Sequence, residues 1–482
     1  MSPSSPSSAS VSSKEDHLDE PERLPTEQTP EKRVFYRTTF FAATVLGLCN
    51  FAAPGIWGAM NSLGAGGAQS PWLVNGANAL TFGLMVVTAT LTPVLIRFLG
   101  VKWSLFFGAA GYAPYAAALY CNISFGTKWF VLVGAALCGI SAGVFWAVEA
   151  AVALSYPEPK NQGRHLGWWM TFRVAGPVLG GAINLGINAQ NSQRGSVNPK
   201  VYLAFIAIQA IGPLVALLLP APSKVQRTDG LKVILHVDTP IGQEVKETLK
   251  LFASKRFLLI VPLICQAVFN ESFTGTYLTL YFSVRARALG SFLGAIMSMI
   301  AGNLLGAFLD RKNISLKTRA RLAFGGIMTL QGAWWIWSTI IQSQFKRQET
   351  LLDWSDSGFG RGFALYLFIV VGFQLNYMYL YFLVGNLVQK PVDIIRIAGL
   401  LRATESAAQA VAYGTNAIES LGTVGSSAIN FGLWGISVVP AWFVIRKIGI
   451  EYFGRVALEA EAAAILEGET TVTPQSEKSP RI

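Results

Sequence analysis

Long apolar stretches alternate with short polar ones along this chain, and that alternation limits its fold more than any other feature. A helix that crosses a bilayer needs roughly 20 mostly apolar residues. Runs of that size begin near Arg37, Trp72, Val101, Lys128, Gly163 and Val201. A polar stretch follows from about 220 to 255, and six more runs begin near Arg256, Ala288, Leu322, Gly362, Asp393 and Leu421. Inside hydrocarbon each backbone N–H and C=O must find its partner within the protein, which helices achieve. The expected class is therefore an all-α integral membrane protein with about twelve transmembrane helices. Of 482 residues, 52% are hydrophobic and only 13% are charged, whereas a soluble domain carries about a quarter charged residues.

Six spans, a polar linker and six spans is the organisation of the major facilitator fold, which is built from two parallel repeats. The expected boundaries are a disordered cytoplasmic tail at 1–36, a six-helix half at 37–219, and a cytoplasmic linker at 220–255. A second six-helix half follows at 256–446 and a cytoplasmic tail at 447–482. The first tail is rich in Ser, Pro and Glu and lacks the apolar core of a cleaved signal peptide. Within the linker, residues 241–252 read IGQEVKETLKLF. Apolar residues recur there at helical spacing, as in an amphipathic helix lying on a membrane surface or an ordinary solvated connector.

Charge sets the expected orientation. Basic residues fall after spans 2, 8 and 12 (Arg97 and Lys102; Arg311, Lys312, Lys317, Arg319 and Arg321; Arg446 and Lys447) and throughout the linker. With twelve spans these loops share one side, so both termini are expected in the cytoplasm. The loop holding Lys346, Arg347 and Arg361 runs against the rule, with Glu349, Asp353 and Asp356 beside it. Asn122-Ile-Ser124 is a glycosylation sequon on the opposite side. The net charge of +11 is thus read as topogenic charge facing anionic lipid rather than nucleic acid. The host membrane is the plasma membrane or an endomembrane.

No catalytic motif, phosphate loop or metal spacing is present. Cys49, Cys121, Cys138 and Cys265 lie in apolar runs as packing residues, and the three histidines are far apart. No enzyme activity, cofactor or metal is expected. Ionisable residues within spans are costly to insert and are candidates for function. Glu271, beside Asn270, lies mid-way along span 7 with no partner in its own helix. Arg173 in span 5 and Glu149 in span 4 lie at similar depth and could pair between helices, lining a cavity or only joining the two helices. Arg402 and Glu405 are spaced i, i+3 on span 11 and can pair on one face. Asn50, with Asn61, Asn376, Tyr377, Tyr379, Tyr381, Asn386 and Gln409, adds polar surface for a solute or ion. Small residues four apart, Gly139 and Gly143 in span 4 and Gly176, Gly180 and Gly181 around Pro177 in span 5, suit close helix packing.

The stretch from Asn303 to Lys312, with Gly306, Asp310 and Arg311, resembles the major facilitator loop signature. That resemblance implies a glycine contact between helices and a charge-paired gating loop; its counterpart near Arg97 lacks the Asp. Three stretches resemble the UNC93-like family of the major facilitator superfamily, particularly its fungal branch: CNFAAPGIWGAMNSLGAGG from Cys49, GISAGVFWAVEAAVALSYPEPKNQGRHLGWW from Gly139, and NYMYLYFLVGNLVQKPVDIIRIAGLLRATESAAQAVAYGTNAI from Asn376. The resemblance implies a multi-pass membrane protein. It leaves two functions open: a secondary transporter of a small organic solute, or a transport-incompetent regulatory or trafficking subunit of a membrane channel or receptor. Its partners would accordingly be the bilayer, an unidentified small-molecule solute and, in the second reading, a membrane-protein partner, with no nucleic acid.

Overall fold

A computed structural model describes residues 33–454 apart from 68–69, 159–161, 194, 229–232, 234–240, 312, 349–350 and 389–392. The tail at 1–32, most of the C-terminal tail and Lys312 therefore lie outside the described residues. The described chain is helical: α1 (Thr39–Asn50), α2 (Ile56–Ser62), α3 (Pro71–Ala110), α4 (Tyr112–Phe125), α5 (Lys128–Ser155), α6 (Gln162–Asn188), α7 (Lys200–Ala216), α8 (Ile241–Phe252), α9 (Lys255–Leu258), α10 (Val261–Tyr281), α11 (Val284–Leu309), α12 (Leu316–Gln348), α13 (Phe359–Leu387), α14 (Asp393–Ala417) and α15 (Val424–Ile445). A π-turn over Phe51–Gly55 joins α1 to α2. Pro54 within it has no N–H to donate, and irregular turns of this kind recur at functional sites.

Among the described residues, seven helical stretches are long and apolar enough to cross a membrane: Thr39–Ser62, Pro71–Thr92, Lys128–Ala153, Lys255–Tyr281, Val284–Leu309, Phe359–Leu387 and Val424–Ile445. The other expected spans are helical too but fall short for visible reasons. The α7 helix has 17 residues. Gly100, at φ 74°, breaks the path between the second and third runs. The helices α6, α12 and α14 carry arginines and other polar groups. Two of these, α6 and α14, bear Arg173, Arg402 and Glu405, so the polarity that lowers their hydropathy is partly that of the candidate site.

Many large apolar side chains face outward, among them Leu91, Trp103, Trp129, Leu203, Leu304 and Ile436. On a soluble protein such surface would drive association; in a bilayer it meets lipid, with Trp favoured at the interface. In the linker, α8 exposes Val245, Leu249 and Phe252 beside Lys246 and Lys250. That is the amphipathic pattern expected for 241–252, and α8 packs against α14.

Buried apolar residues form one cluster drawn mainly from 42–233 and two drawn from the later part of the chain. The two parts meet chiefly through α3 against α14 and α6 against α11. Phe82 stacks on Tyr413 with ring centroids 5.5 Å apart. Gly181 lies against the Phe292 backbone, and Gly176 against Gly55. On α5, Gly139 approaches the Thr81 backbone and Gly143 that of Met85. The small residues of spans 4 and 5 are therefore packing residues, as expected.

At the end of the bundle opposite the linker, here called the far end, polar contacts join the two parts. Arg287, 1% exposed, donates from Nε to the Leu63 carbonyl at 2.9 Å and from Nη2 to the Gly64 carbonyl at 3.0 Å. Its Nη1 donates to the Gly195 carbonyl at 3.0 Å. Gly64 is required there: its φ is +80°, and a Cβ would stand 2.8 Å from Thr279 Oγ1. Ser62 and Ser291 hydroxyls are 2.7 Å apart. Asn75 Nδ2 donates to Thr276 Oγ1 at 2.9 Å and to the Asn416 carbonyl at 3.0 Å. The backbone N–H of Arg285 donates to the Asn191 carbonyl at 2.9 Å.

The acidic loop that offset the basic one has a structural use at this end. Arg285 Nε donates to both Asp353 oxygens, at 2.9 and 3.0 Å, while its Nη2 also pairs with Oδ2. Ser283 and Ser355 hydroxyls donate to the same carboxylate. The Arg285 guanidinium above all, helped by these hydroxyls and opposed by partial burial, holds the Asp353 carboxyl well below the usual carboxylate range.

The linker end is stitched differently. Glu158 accepts from the Thr228 N–H at 2.6 Å and from its hydroxyl at 2.9 Å, and the Gln226 N–H donates to the Arg37 carbonyl at 2.7 Å. On the other side Arg321 Nη2 donates to the Arg446 carbonyl at 2.5 Å, and Arg319 to the Leu309 carbonyl. Each of these contacts stays within one part of the molecule.

Candidate functional site

The ionisable residues singled out in the spans converge at mid-depth of the bundle, from α5, α6, α10 and α14. The expected ion pair of Glu149 with Arg173 is not formed. Glu149, 1% exposed, instead accepts at Oε1 from Asn50 Nδ2 at 2.6 Å and from Trp169 Nε1 at 2.6 Å. Two neutral donors at short range satisfy the carboxylate oxygen without a guanidinium in contact. Arg173 turns across to the other half, where its Nη2 donates to the Tyr377 hydroxyl at 3.0 Å. Similar depth made a pair plausible; which way each side chain points around its helix decided against it.

The Arg402–Glu405 pair does form, with Nη1 2.8 Å from Oε2 and Glu405 fully buried. The Arg402 guanidinium also lies 3.8 Å from the centroid of the Trp146 ring, and that of Arg173 lies 5.1 Å from the same ring. Trp146 on α5 is thus a shared aromatic face for two cations, one from each half. Arg173 is in addition 4.8 Å from the Tyr377 ring, and the Tyr377 and Tyr381 hydroxyls are 3.0 Å apart. Glu271 is not alone, as its own helix suggested: Gln409 Nε2 on α14 donates to its Oε2 at 2.6 Å. Asn270, next to it, is buried.

Two observations mark this centre as more than a static hydrogen-bond network. Buried polar atoms without a protein partner gather here: Asn50 Oδ1, Glu149 Oε2, Asn270 Oδ1, Glu405 Oε1 and Gln409 Oε1. Buried acceptors are normally bonded, so such a group calls for water, a proton or a ligand. Tyr381 is 43% exposed although Glu405, Arg402 and Arg173 all act on it electrostatically. An open space therefore reaches in among the charges. Arg173 and Glu271, both half-buried, border it.

Other expected site features fall elsewhere. Asn122 lies at the end of α4, its Nδ2 donating to the Thr127 carbonyl at 3.3 Å. At the proposed gating loop, Asp310 and Arg311 are exposed and, among the described residues, make no ion pair. A Cβ on Gly306 would have only Met378 Cε near it, at 4.0 Å. Among the described residues the charge-paired latch implied by the loop signature is not formed; Arg319 and Arg321 bind helix-end carbonyls there. Tyr379 and Asn386 belong to the packing of the second half, where they donate to the carbonyls of Ala320 and Phe382. Sequence reasoning missed Trp146, which reads as one more apolar span residue. It also missed Arg287, whose position at the head of a span reads as a loop charge.

Comparison with known proteins agrees with this architecture. A family model described as "Ion channel regulatory protein UNC-93" matches residues 76–309. The "Notoamide biosynthesis cluster protein O'" of Aspergillus versicolor is 40% identical over 424 residues, covering 88% of this chain and 92% of that protein. "UNC93-like protein 1" of Arabidopsis thaliana is 29% identical over 397 residues, covering 80% and 85%. Among solved structures, a D-xylose–proton symporter aligns with a TM-score of 0.59 at 14% identity, covering 85% of this chain and 97% of that one. A POT family transporter in complex with 5-aminolevulinic acid aligns with a TM-score of 0.58 at 13% identity, covering 85% and 96%. At such identities these two speak for the fold alone. The chain belongs to the UNC93-like family of membrane proteins and has the major facilitator fold.

Proposed function

We propose that this protein is a secondary transporter that moves a small organic solute across its membrane by alternating access. The observation that carries this reading is the centre itself: polar, charged and partly open, with Arg173 of the first half bonded to Tyr377 of the second. A scaffold that never moves a solute has no need of ionisable groups at mid-membrane depth, where each is costly. The proposed solute-contacting residues are Arg173, Glu271, Asn270, Arg402, Glu405, Glu149 and Asn50. Topology follows the charge rule, with both termini in the cytoplasm, the two six-helix halves at 37–219 and 256–446, and Asn122 on the opposite side. No catalytic role is assigned to any residue.

The test is a solute screen by thermal shift on the purified protein, followed by uptake into vesicles. A stabilising solute that is taken up, and whose uptake is lost in Arg173→Gln, supports transport. Stabilising solutes that never cross would turn the reading toward the regulatory alternative. That alternative draws on the printed description of the matching family model, an ion channel regulatory protein. It expects a membrane-protein partner to co-purify and central substitutions to leave that partner bound.

A further inference from the structure

We propose that the central site takes a zwitterionic solute with an aromatic body, its anionic group on Arg173 and its ammonium on Glu271. This names the substrate class of the site and rests on the transport reading above. The assignment comes from counting which valences are already used. Arg402 and Glu405 neutralise each other at 2.8 Å, and the atoms they leave unbonded, Nε and Oε1, are sealed among side chains. Glu149 Oε1 takes two donors from Asn50 and Trp169. Arg173 makes one hydrogen bond, through Nη2 to a neutral hydroxyl, so Nε and Nη1 remain for a planar anion such as a carboxylate. Glu271 has Oε2 on Gln409 and Oε1 without a protein donor, and the Gln409 amide that binds it keeps its own oxygen unbonded.

A primary ammonium brings three N–H donors, which suits an acceptor-rich wall. Neither pole of a zwitterion would then enter the low-dielectric centre without an opposite charge, and the site's net charge is unchanged by loading. A solute with a single charge would leave Arg173 or Glu271 uncompensated. Tyr381, the exposed ring among these charges, offers a face to an aromatic body, with the Tyr377 ring 4.8 Å behind it.

The probes are phenylalanine, phenethylamine and 3-phenylpropanoate, titrated at neutral pH against the purified full chain. Phenylalanine is expected to bind at least about tenfold more tightly than either half, since each half forfeits a charge-assisted contact worth roughly 1.4 kcal/mol or more. Arg173→Gln should erase the preference for phenylalanine over phenethylamine and leave phenethylamine binding intact. Glu271→Gln should erase the preference over 3-phenylpropanoate. Should a neutral side chain prevent folding, Arg173→Lys keeps the charge but loses the fork, and is expected to weaken phenylalanine more than phenethylamine. Equal binding of phenylalanine and one of its halves, or no binding of phenylalanine, overturns the assignment. If another solute is taken up while phenylalanine fails, the substrate class falls and transport stands. If phenylalanine binds with the stated selectivity but is never moved, transport falls and the site assignment stands.

Discussion

The far end and the centre of the bundle both bury arginines, but they use them in opposite ways. Arg287 at the far end spends its donors on three fixed backbone carbonyls, those of Leu63, Gly64 and Gly195. Each of its three nitrogens is so engaged, and two loops of the first half are tied to the head of α11. Arg173 at the centre touches one hydroxyl and two ring faces and keeps donors in reserve. A guanidinium held by three fixed carbonyls is a fastener. One that shares a partly open space with carboxylates and aromatic rings can exchange partners. Burial alone therefore does not separate the two arginines; the kind of partner each one holds does.

This contrast can be tested by substitution. The largest effect is expected at Arg287. Arg287→Leu takes the charged donor from three carbonyls, of which that of Gly64 keeps only the Gly67 N–H, and each hydrogen bond to a charged group contributes about 1.5–3 kcal/mol. The folded, monodisperse fraction after detergent extraction should fall severely, and Arg287→Lys should not restore it because an ammonium cannot span three carbonyls in one plane. A well-folded Arg287→Leu protein would dissolve the distinction between the two ends.

Arg402→Ala comes next. It strands the fully buried Glu405 and should cost about 3–5 kcal/mol, with partial recovery in the double variant lacking Glu405 as well. Arg173→Gln should lower thermal stability far less than Arg402→Ala while weakening the response to phenylalanine about tenfold. Comparable destabilisation by the two would mean that both serve packing.

The smallest effect is expected at Asp353. Its carboxyl is held below the ordinary range by Arg285, so its contribution to stability is complete above the unfolded carboxylate value of about 4. That contribution is lost as pH falls below that value toward the folded one. Asp353→Asn should lower the unfolding midpoint by about 2–4 °C at neutral pH, and the gap from the parent protein should shrink on acidification. A gap that persists unchanged into acid would assign the loss to the loop's shape rather than its charge.

Much of the architecture was legible before any coordinates. Run length and loop charge locate the helices because a bilayer admits few alternatives to apolar helices of spanning length. The i, i+3 spacing of Arg402 and Glu405 is a local relation, and the pair forms. Partners drawn from different helices were less legible. Glu149 and Arg173 match in depth, but rotation about each helix axis sends one toward Asn50 and Trp169 and the other toward Tyr377. Glu271 looked solitary because Gln409 is 138 residues away in sequence. Arg287 was invisible as a buried residue, since a charge at the head of a span is ordinarily solvated there. Hydropathy also under-reads α6 and α14, because the central site supplies their polarity.

Alternating access is tested most directly by distances across both ends of the molecule at once. Spin labels at Ser192 and Ser357 report the far end, and labels at Leu99 and Asn313 the linker end; all four positions are exposed. The half-buried Cys121 and Cys265 would first be replaced. With the full chain in lipid, two populations are expected at each end, a short far-end distance accompanying a long linker-end one and the reverse. Ser291→Ala, which removes the Ser62–Ser291 hydrogen bond across the far end, should shift the balance toward the second population. A single unchanging distance at both ends, with and without solute and in the Ser291→Ala protein, would contradict transport by alternating access.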